Sequence, residues 1–116
     1  MELQGGNGVS TGNVFAVNRN GYFGPVCDDH WTDTEADTVC RYISLSFMTS
    51  LCLIFYSRQL GFDRGTHHTE SHFGNVPSDF AMDSVDCSIT DYRIQDCSYS
   101  TSEDCGSSEG AGVSCY

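Results

Sequence analysis

The sequence contains no lysine, and its positive charge rests on five arginines against sixteen aspartates and glutamates, a formal net charge of -11. Nucleic acid is thereby excluded as a partner, because phosphate neutralisation needs clustered cations. Anionic membrane surfaces are disfavoured for the same reason. There is no C-x-x-C pair, so the usual spacing of a thiolate metal site is missing. There is no N-x-S/T sequon, so no N-linked glycan is expected. Met1 is followed at once by Glu2-Leu3-Gln4-Gly5-Gly6, which offers neither a basic nor an apolar leader segment. Only 116 residues are available, enough for one domain with a modest apolar core.

What is abundant is cysteine. Cys27, Cys40, Cys52, Cys87, Cys97, Cys105 and Cys115 are spread along the chain. That spread reads as a disulfide framework formed in an oxidising compartment. A disulfide-rich chain without a leader is expected to be one domain, residues 1–116, excised from a longer secreted or membrane-anchored protein.

Local patterns supply the first elements. Asn13-Val14-Phe15-Ala16-Val17 is rich in strand formers, Asn20-Gly21 is a tight-turn signal, and Tyr22-Phe23-Gly24-Pro25-Val26-Cys27 returns. The pattern predicts a β-hairpin with Pro25 at an edge or bulge. Thr32-Asp33-Thr34-Glu35 has the form of a capping box. Ala36, Val39, Cys40 and Ile43 follow at helical spacing, which predicts a helix starting near Asp33 with its cysteine facing the core. Residues 63–79 are polar and read as a loop, residues 80–87 as a strand, residues 91–97 as a short helical turn, and residues 111–115 as a closing strand.

Residues 42–57 stand apart because they carry no charge. They are too short and too rich in serine for a membrane span, which needs about 20 apolar residues. A longer core helix or an added apolar hairpin fits them better.

The chain resembles the scavenger receptor cysteine-rich family, in its six-cysteine form. The resemblance is carried by LQGG (3–6), GYFGPVCDDHW (21–31), ADTVCR (36–41), RQLGF (58–62), FGNV (73–76), MDSVDC (82–87), the I-x-x-C of 94–97, DC (104–105) and EGAGVSC (109–115), all in family order. It implies an α+β fold: a curved β-sheet cradling one α-helix, with a loop-rich second half and three disulfides. Cysteine spacing by itself leaves the pairing open. The resemblance implies Cys27–Cys105, Cys40–Cys115 and Cys87–Cys97, with Cys52 unpaired. The two long bridges are each worth about 4 kcal/mol in the chain-entropy account. Thr11 and Phe62 stand in the regions where the eight-cysteine form carries its extra pair.

The chain departs from the family in several places. Ile89 stands for a usual Gly, Asp91 for a usual Glu and Gly110 for a common Asp. The largest departure is an insertion at about residues 42–58, flanked by Arg41 and Arg58. It reads either as a genuine insertion or as a short retained intron in translation. The second reading accounts for the uncharged composition and the odd Cys52.

Asp28 and Asp29 follow Cys27, and Glu109 lies shortly after Cys105. If those cysteines are bonded, the three carboxylates come within mutual reach and repel unless a cation lies between them. Oxygen donors favour calcium, with magnesium the alternative. By resemblance, Asp28, Asp29 and Glu109 form a first cation site, and Asp83 with Asp104 a weaker second one. The competing reading is that these acids cap turns or stay solvated. His67, His68 and His72 near Glu70 have zinc-like spacing only if helical, and the glycine and threonines around them argue for a solvated loop. Ser, His and Asp are all present, yet no nucleophile-elbow motif marks an activated serine. Trp31 with Tyr22 and Phe23 offers a ligand surface, although Trp31 beside the helix cap reads better as core packing.

The expected function is that of an extracellular, non-catalytic ligand-binding domain of a scavenger-receptor-like or secreted defence protein. Calcium would assist recognition of anionic or protein ligands. Membrane contact would come only through parts of the parent protein. The alternative is an accessory module of a secreted multidomain enzyme, such as a serine protease or an amine oxidase.

Overall fold

In a computed structural model, residues 1–7, 10–51, 64–102 and 104–116 are described, with the side chains of 45–51 left aside. Strand β1 (Glu2–Gln4) pairs antiparallel with β2 (Thr11–Val17), and β2 pairs with β3 (Phe23–Pro25). The β2–β3 hairpin is the one its turn chemistry predicts. The Asn18 side-chain oxygen accepts from the amides of Asn20 (2.9 Å) and Tyr22 (3.1 Å), and Gly21 sits at φ 83°. An asparagine followed by a left-handed glycine closes such a turn without strain. Pro25 falls at the end of β3, which among the described strands pairs with β2 alone, so its missing N–H interrupts no central ladder.

Helix α1 (Asp33–Leu51) begins where the capping box places it. Glu35 is buried, and its Oε1 accepts from the Thr32 amide (2.9 Å) and hydroxyl (2.5 Å). Its Oε2 accepts from the distant Cys87 amide at 2.9 Å. One carboxylate therefore starts the helix and anchors the second half of the chain to it. Glu35→Ala loses the cap and leaves the buried Cys87 amide without a partner. It is expected to lower stability by about 3 kcal/mol, read from the urea midpoint at constant m-value.

The helix continues through Leu51, into the uncharged insertion. The longer-helix reading thus holds for the described part of that stretch. Cys52, the remainder of the insertion and the RQLGF block with Phe62 lie outside the described residues. Among the described residues, no helix is long and apolar enough to cross a membrane.

The second half adds β4 (Gly65–His68), β5 (Asp83–Asp86), a 3₁₀ turn (Ile94–Asp96), β6 (Ser98–Ser100) and β7 (Gly112–Cys115). The main sheet runs β1-β2-β7-β4, β3 pairs with β2 opposite β1, further along the edge that β7 takes, and β5 and β6 form a separate ribbon. Strand β4 corrects the reading of residues 63–79 as loop throughout. Its four residues carry no apolar alternation, so nothing local marks them as a strand. They are held instead by β7 on one edge and by α1 on the other, where Asp37 accepts from the Gly65 amide (2.7 Å) and Asp33 from the His67 amide (2.9 Å).

Successive β2 side chains serve opposite faces of the sheet. Val14 and Ala16 pack in the main core with Val39 and Cys40 of α1, Trp31, Met82 and Val113. Phe15 joins a second cluster with Val76, Phe80, Cys27 and Cys105. Cys27–Cys105, Cys40–Cys115 and Cys87–Cys97 are bonded, the three pairs that the resemblance implies.

Candidate functional site: an acidic cup at the Cys27–Cys105 bridge

The backbone on either side of Cys27 is laced into two other segments. The Cys27 amide donates to the Met82 carbonyl (2.9 Å), the Asp28 amide to the Glu109 carbonyl (2.9 Å), and the Ala111 amide to the Val26 carbonyl (2.8 Å). The disulfide to Cys105 fixes the same junction covalently. His30, at φ 62°, turns the chain away from this junction toward α1, and the Trp31 amide donates to the Asp28 carbonyl at 3.0 Å. Residues 106–109 form a tight turn in which the Glu109 amide donates to the Gly106 carbonyl (2.9 Å). The Gly106 amide donates in return to Glu109 Oε2 at 2.5 Å.

These constraints bring Asp28, Asp29 and Glu109 together, one carboxylate oxygen of each lying within 4.8 Å of the others. Burial pushes the Asp28 carboxyl above the usual carboxylate range. A hydrogen bond from the Glu70 amide (2.7 Å) opposes the rise, while the charges of Glu109, Asp29 and Glu70 add to it. Asp28, Glu70, Ser108 and Glu109 line an open cavity of about 540 Å³. The arrangement is concentrated negative charge with oxygen donors and little internal neutralisation, which suits a hard divalent cation. Calcium fits this donor set, since it accepts irregular carboxylate geometry more readily than magnesium does.

The two acids of the second site differ in their surroundings. Asp83 is buried, and its oxygen lies in a group with Asp29 and the bonded sulfurs of Cys27 and Cys105. Burial first, then the neighbouring Asp29, raises its carboxyl above the ordinary range. Asp104 is exposed and joins no such group among the described residues. The geometry thus draws Asp83 toward the first cluster.

Sequence reasoning missed the Glu70 amide. Glu70 and Ser71 adopt left-handed backbone, φ 57° and 50°, with no glycine to announce it. The histidines near them make no metal group among the described residues. The His68 and His72 rings lie face to face, centroids 4.2 Å apart and 12° from parallel. Imidazole lone pairs lie in the ring plane, so stacked rings do not aim at one ion between them. His68 meets the Ser114 hydroxyl at 2.8 Å, whereas His67 meets Asp33 at 2.5 Å. The serine and the carboxylate therefore engage different imidazoles and form no single relay. Trp31 is core, its indole N–H donating to the Gly112 carbonyl at 2.9 Å. Tyr22 and Phe23 are partly exposed, Phe23 stacking on Phe15.

The bonded cysteine framework, the helix on its sheet and the loop-rich half are those of a scavenger receptor cysteine-rich domain. The model of that family matches residues 4–116, and the chain belongs to it. It is 34% identical over 118 residues to a scavenger receptor cysteine-rich domain superfamily protein of Patiria pectinifera, covering 99% of this chain and 9% of that protein. It is 36% identical over 116 residues to lysyl oxidase homolog 2 of Mus musculus, covering 99% of this chain and 13% of that protein. The chain thus spans about a tenth of the length of these relatives. Among solved structures it is similar to the third such domain of murine neurotrypsin, with TM-score 0.71, 30% identity and coverage of 97% and 92% of the two chains. It is also similar to the dimeric form of the domain from mouse MARCO, with TM-score 0.66, 26% identity and coverage of 91% and 86%. Domains of this family are generally non-catalytic binding modules and, with their disulfides, typically extracellular.

Proposed function

We propose that the chain is an extracellular, non-catalytic binding module in which Asp28, Asp29 and Glu109 hold a calcium ion that bridges to an anionic or protein ligand. The observation that carries this reading is the convergence of the three carboxylates from two chain segments joined at Cys27–Cys105. Charge supports the bridging role. A chain of net charge -11 has no other strong means of attracting an anion, and its five arginines are scattered in sequence. Asp83 extends the donor set on the Asp29 side.

Calorimetric titration with calcium tests the ion. The wild type is expected to bind it, and Asp28→Asn combined with Glu109→Gln to weaken binding at least about tenfold, since two of three charged ligands are lost. Binding to immobilised dextran sulfate tests the bridge. Chelation by EDTA is expected to abolish it; binding unchanged in EDTA removes the calcium role.

A second reading has its own support. Lysyl oxidase homolog 2 is a much longer protein than the part this chain matches. Within such a protein the module would position partners for a catalytic domain elsewhere. The full-length transcript decides between a receptor and an enzyme as parent.

A further inference from the structure

The loop that follows β4 touches both halves of the acidic cup. Its Glu70 amide donates to Asp28 Oδ2 at 2.7 Å. The Ser71 amide donates to the Gly110 carbonyl (3.0 Å), the Ser71 hydroxyl to the Ser107 carbonyl (2.8 Å), and the Gly110 amide to the Ser71 hydroxyl (2.8 Å). Asp28 and the turn bearing Glu109 are therefore gripped by two adjacent residues, both in left-handed backbone. Non-glycine residues keep that conformation only when their surroundings enforce it.

Beside these hydrogen bonds, aromatic contacts flank the two residues. His68, at the end of β4, stacks on His72 across the loop, and Phe73 meets both rings edge-on at 5.2 and 4.8 Å. Phe73 itself, in the turn, packs closely against the sheet: a Cβ on Gly5 would lie 2.3 Å from its carbonyl oxygen, and one on Gly112 would lie 3.1 Å from its ring. The stack thus closes the loop on a rigid base.

We propose that residues 69–74 form an acid-released clamp on the cation cup, in which the Glu70 amide and Ser71 position Asp28 and the Glu109 turn while the His68–His72 stack holds the clamp shut. The cation part of this proposal rests on the calcium reading above; the clamp itself does not.

Stacked neutral imidazoles attract, but a proton on each places two like charges face to face. Among the described residues, neighbouring groups offer little relief. Helix α1 presents Asp33 and Asp37 to β4, but on its outer edge, Asp33 engaged by His67 and Asp37 by the Gly65 amide. Strand β7 presents Ser114, which is uncharged. Burial, then His72 and His67, holds His68 below the ordinary imidazole value, with Asp33 opposing. The sign follows. The open loop takes a proton more readily than the closed one, so closure is strongest at neutral pH and weakens as pH falls below about 6.5. Asp28 is pulled both ways, since its burial and acidic neighbours favour the neutral carboxyl and the Glu70 amide favours the ionised one. The His72→Phe variant, which leaves Asp28 in place, therefore separates loss of the clamp from carboxylate titration.

The test has two arms. In cation-free protein, the amide resonances of Glu70, Ser71 and Gly110 are followed by NMR from pH 7.5 to 5, alongside the His68 and His72 ring protons. They are expected to shift or broaden with the imidazole midpoint in the wild type, and not to do so in His72→Phe, which keeps a ring but carries no proton. Amides that ignore the imidazole titration overturn the clamp, whether or not calcium binds. In the second arm calcium affinity is measured at pH 7.5 and 5.5 in both proteins. The wild type is expected to lose about tenfold more affinity than His72→Phe between the two pH values, one pKa unit of coupling. Equal losses overturn the link between clamp and cup. If the amides follow the histidines and neither protein binds calcium, the cation reading falls and the clamp stands.

Discussion

Replacing Cys27 and Cys105 together by alanine is expected to cost about 4 kcal/mol, the value for a bridge spanning this much chain. The bonded residues are separated by 78 positions. Both cysteines are buried in the Phe15, Val76, Phe80 cluster, so the loss of sulfur volume adds to the entropic term. Small domains hold about 5–15 kcal/mol in all, so the variant sits near its folding threshold. The measurement is a urea titration of the oxidised variant beside the wild type, with secreted yield as a second readout. The short Cys87–Cys97 bridge, separated by 10 positions, closes a far smaller loop and is expected to cost less when removed. A ranking in which the short bridge matters more would mean that strain or residual structure, and not loop closure, governs these bonds.

Trp31→Ala is expected to be nearly as damaging, at about 4 kcal/mol. The indole is buried between the hairpin and the helix start, within the cluster containing Val14, Ala36 and Val113. Truncation opens a large cavity there and leaves the Gly112 carbonyl without its indole donor. Trp31→Phe keeps most of the volume and loses the hydrogen bond, so it is expected to fall between wild type and alanine. Thermal unfolding followed by circular dichroism orders the three proteins. An alanine variant within about 1 kcal/mol of wild type would show that the neighbouring side chains collapse into the space.

These effects follow from contacts of very different legibility. The hairpin and the helix start were readable because their signals are local: Asn20-Gly21 mark the turn, which the Asn18 side chain then closes, and Thr32 to Glu35 carry the cap. Glu35 was readable only by half. Its bond to the Thr32 amide is a sequence pattern, whereas its bond to the Cys87 amide joins residues 52 positions apart and leaves no pattern. Strand β4 was missed for the same reason. Gly65-Thr66-His67-His68 has little intrinsic reason to be extended, and it is so because β7 and two helix carboxylates receive it. Propensity yields to tertiary pairing there.

The acidic cup divides along the same line. Asp28, Asp29 and Glu109 could be grouped once the pairing of Cys27 with Cys105 was implied by family resemblance. The placing of Asp83 beside Asp29 depends on the register that sets Val26 beside Met82. Glu70 and Ser71 reach the cup through main-chain atoms and one hydroxyl, which no residue type advertises.

The two carboxylates that receive β4 also decide how this sheet can meet other chains. A border strand normally offers a row of free amides that recruits foreign backbone. Here the outward amides of Gly65 and His67 are already occupied by Asp37 and Asp33. That flank is chemically shut to an incoming strand. When such modules are strung in tandem or crowded on a cell surface, backbone-to-backbone recruitment through this border is blocked, and neighbours must meet through side chains instead.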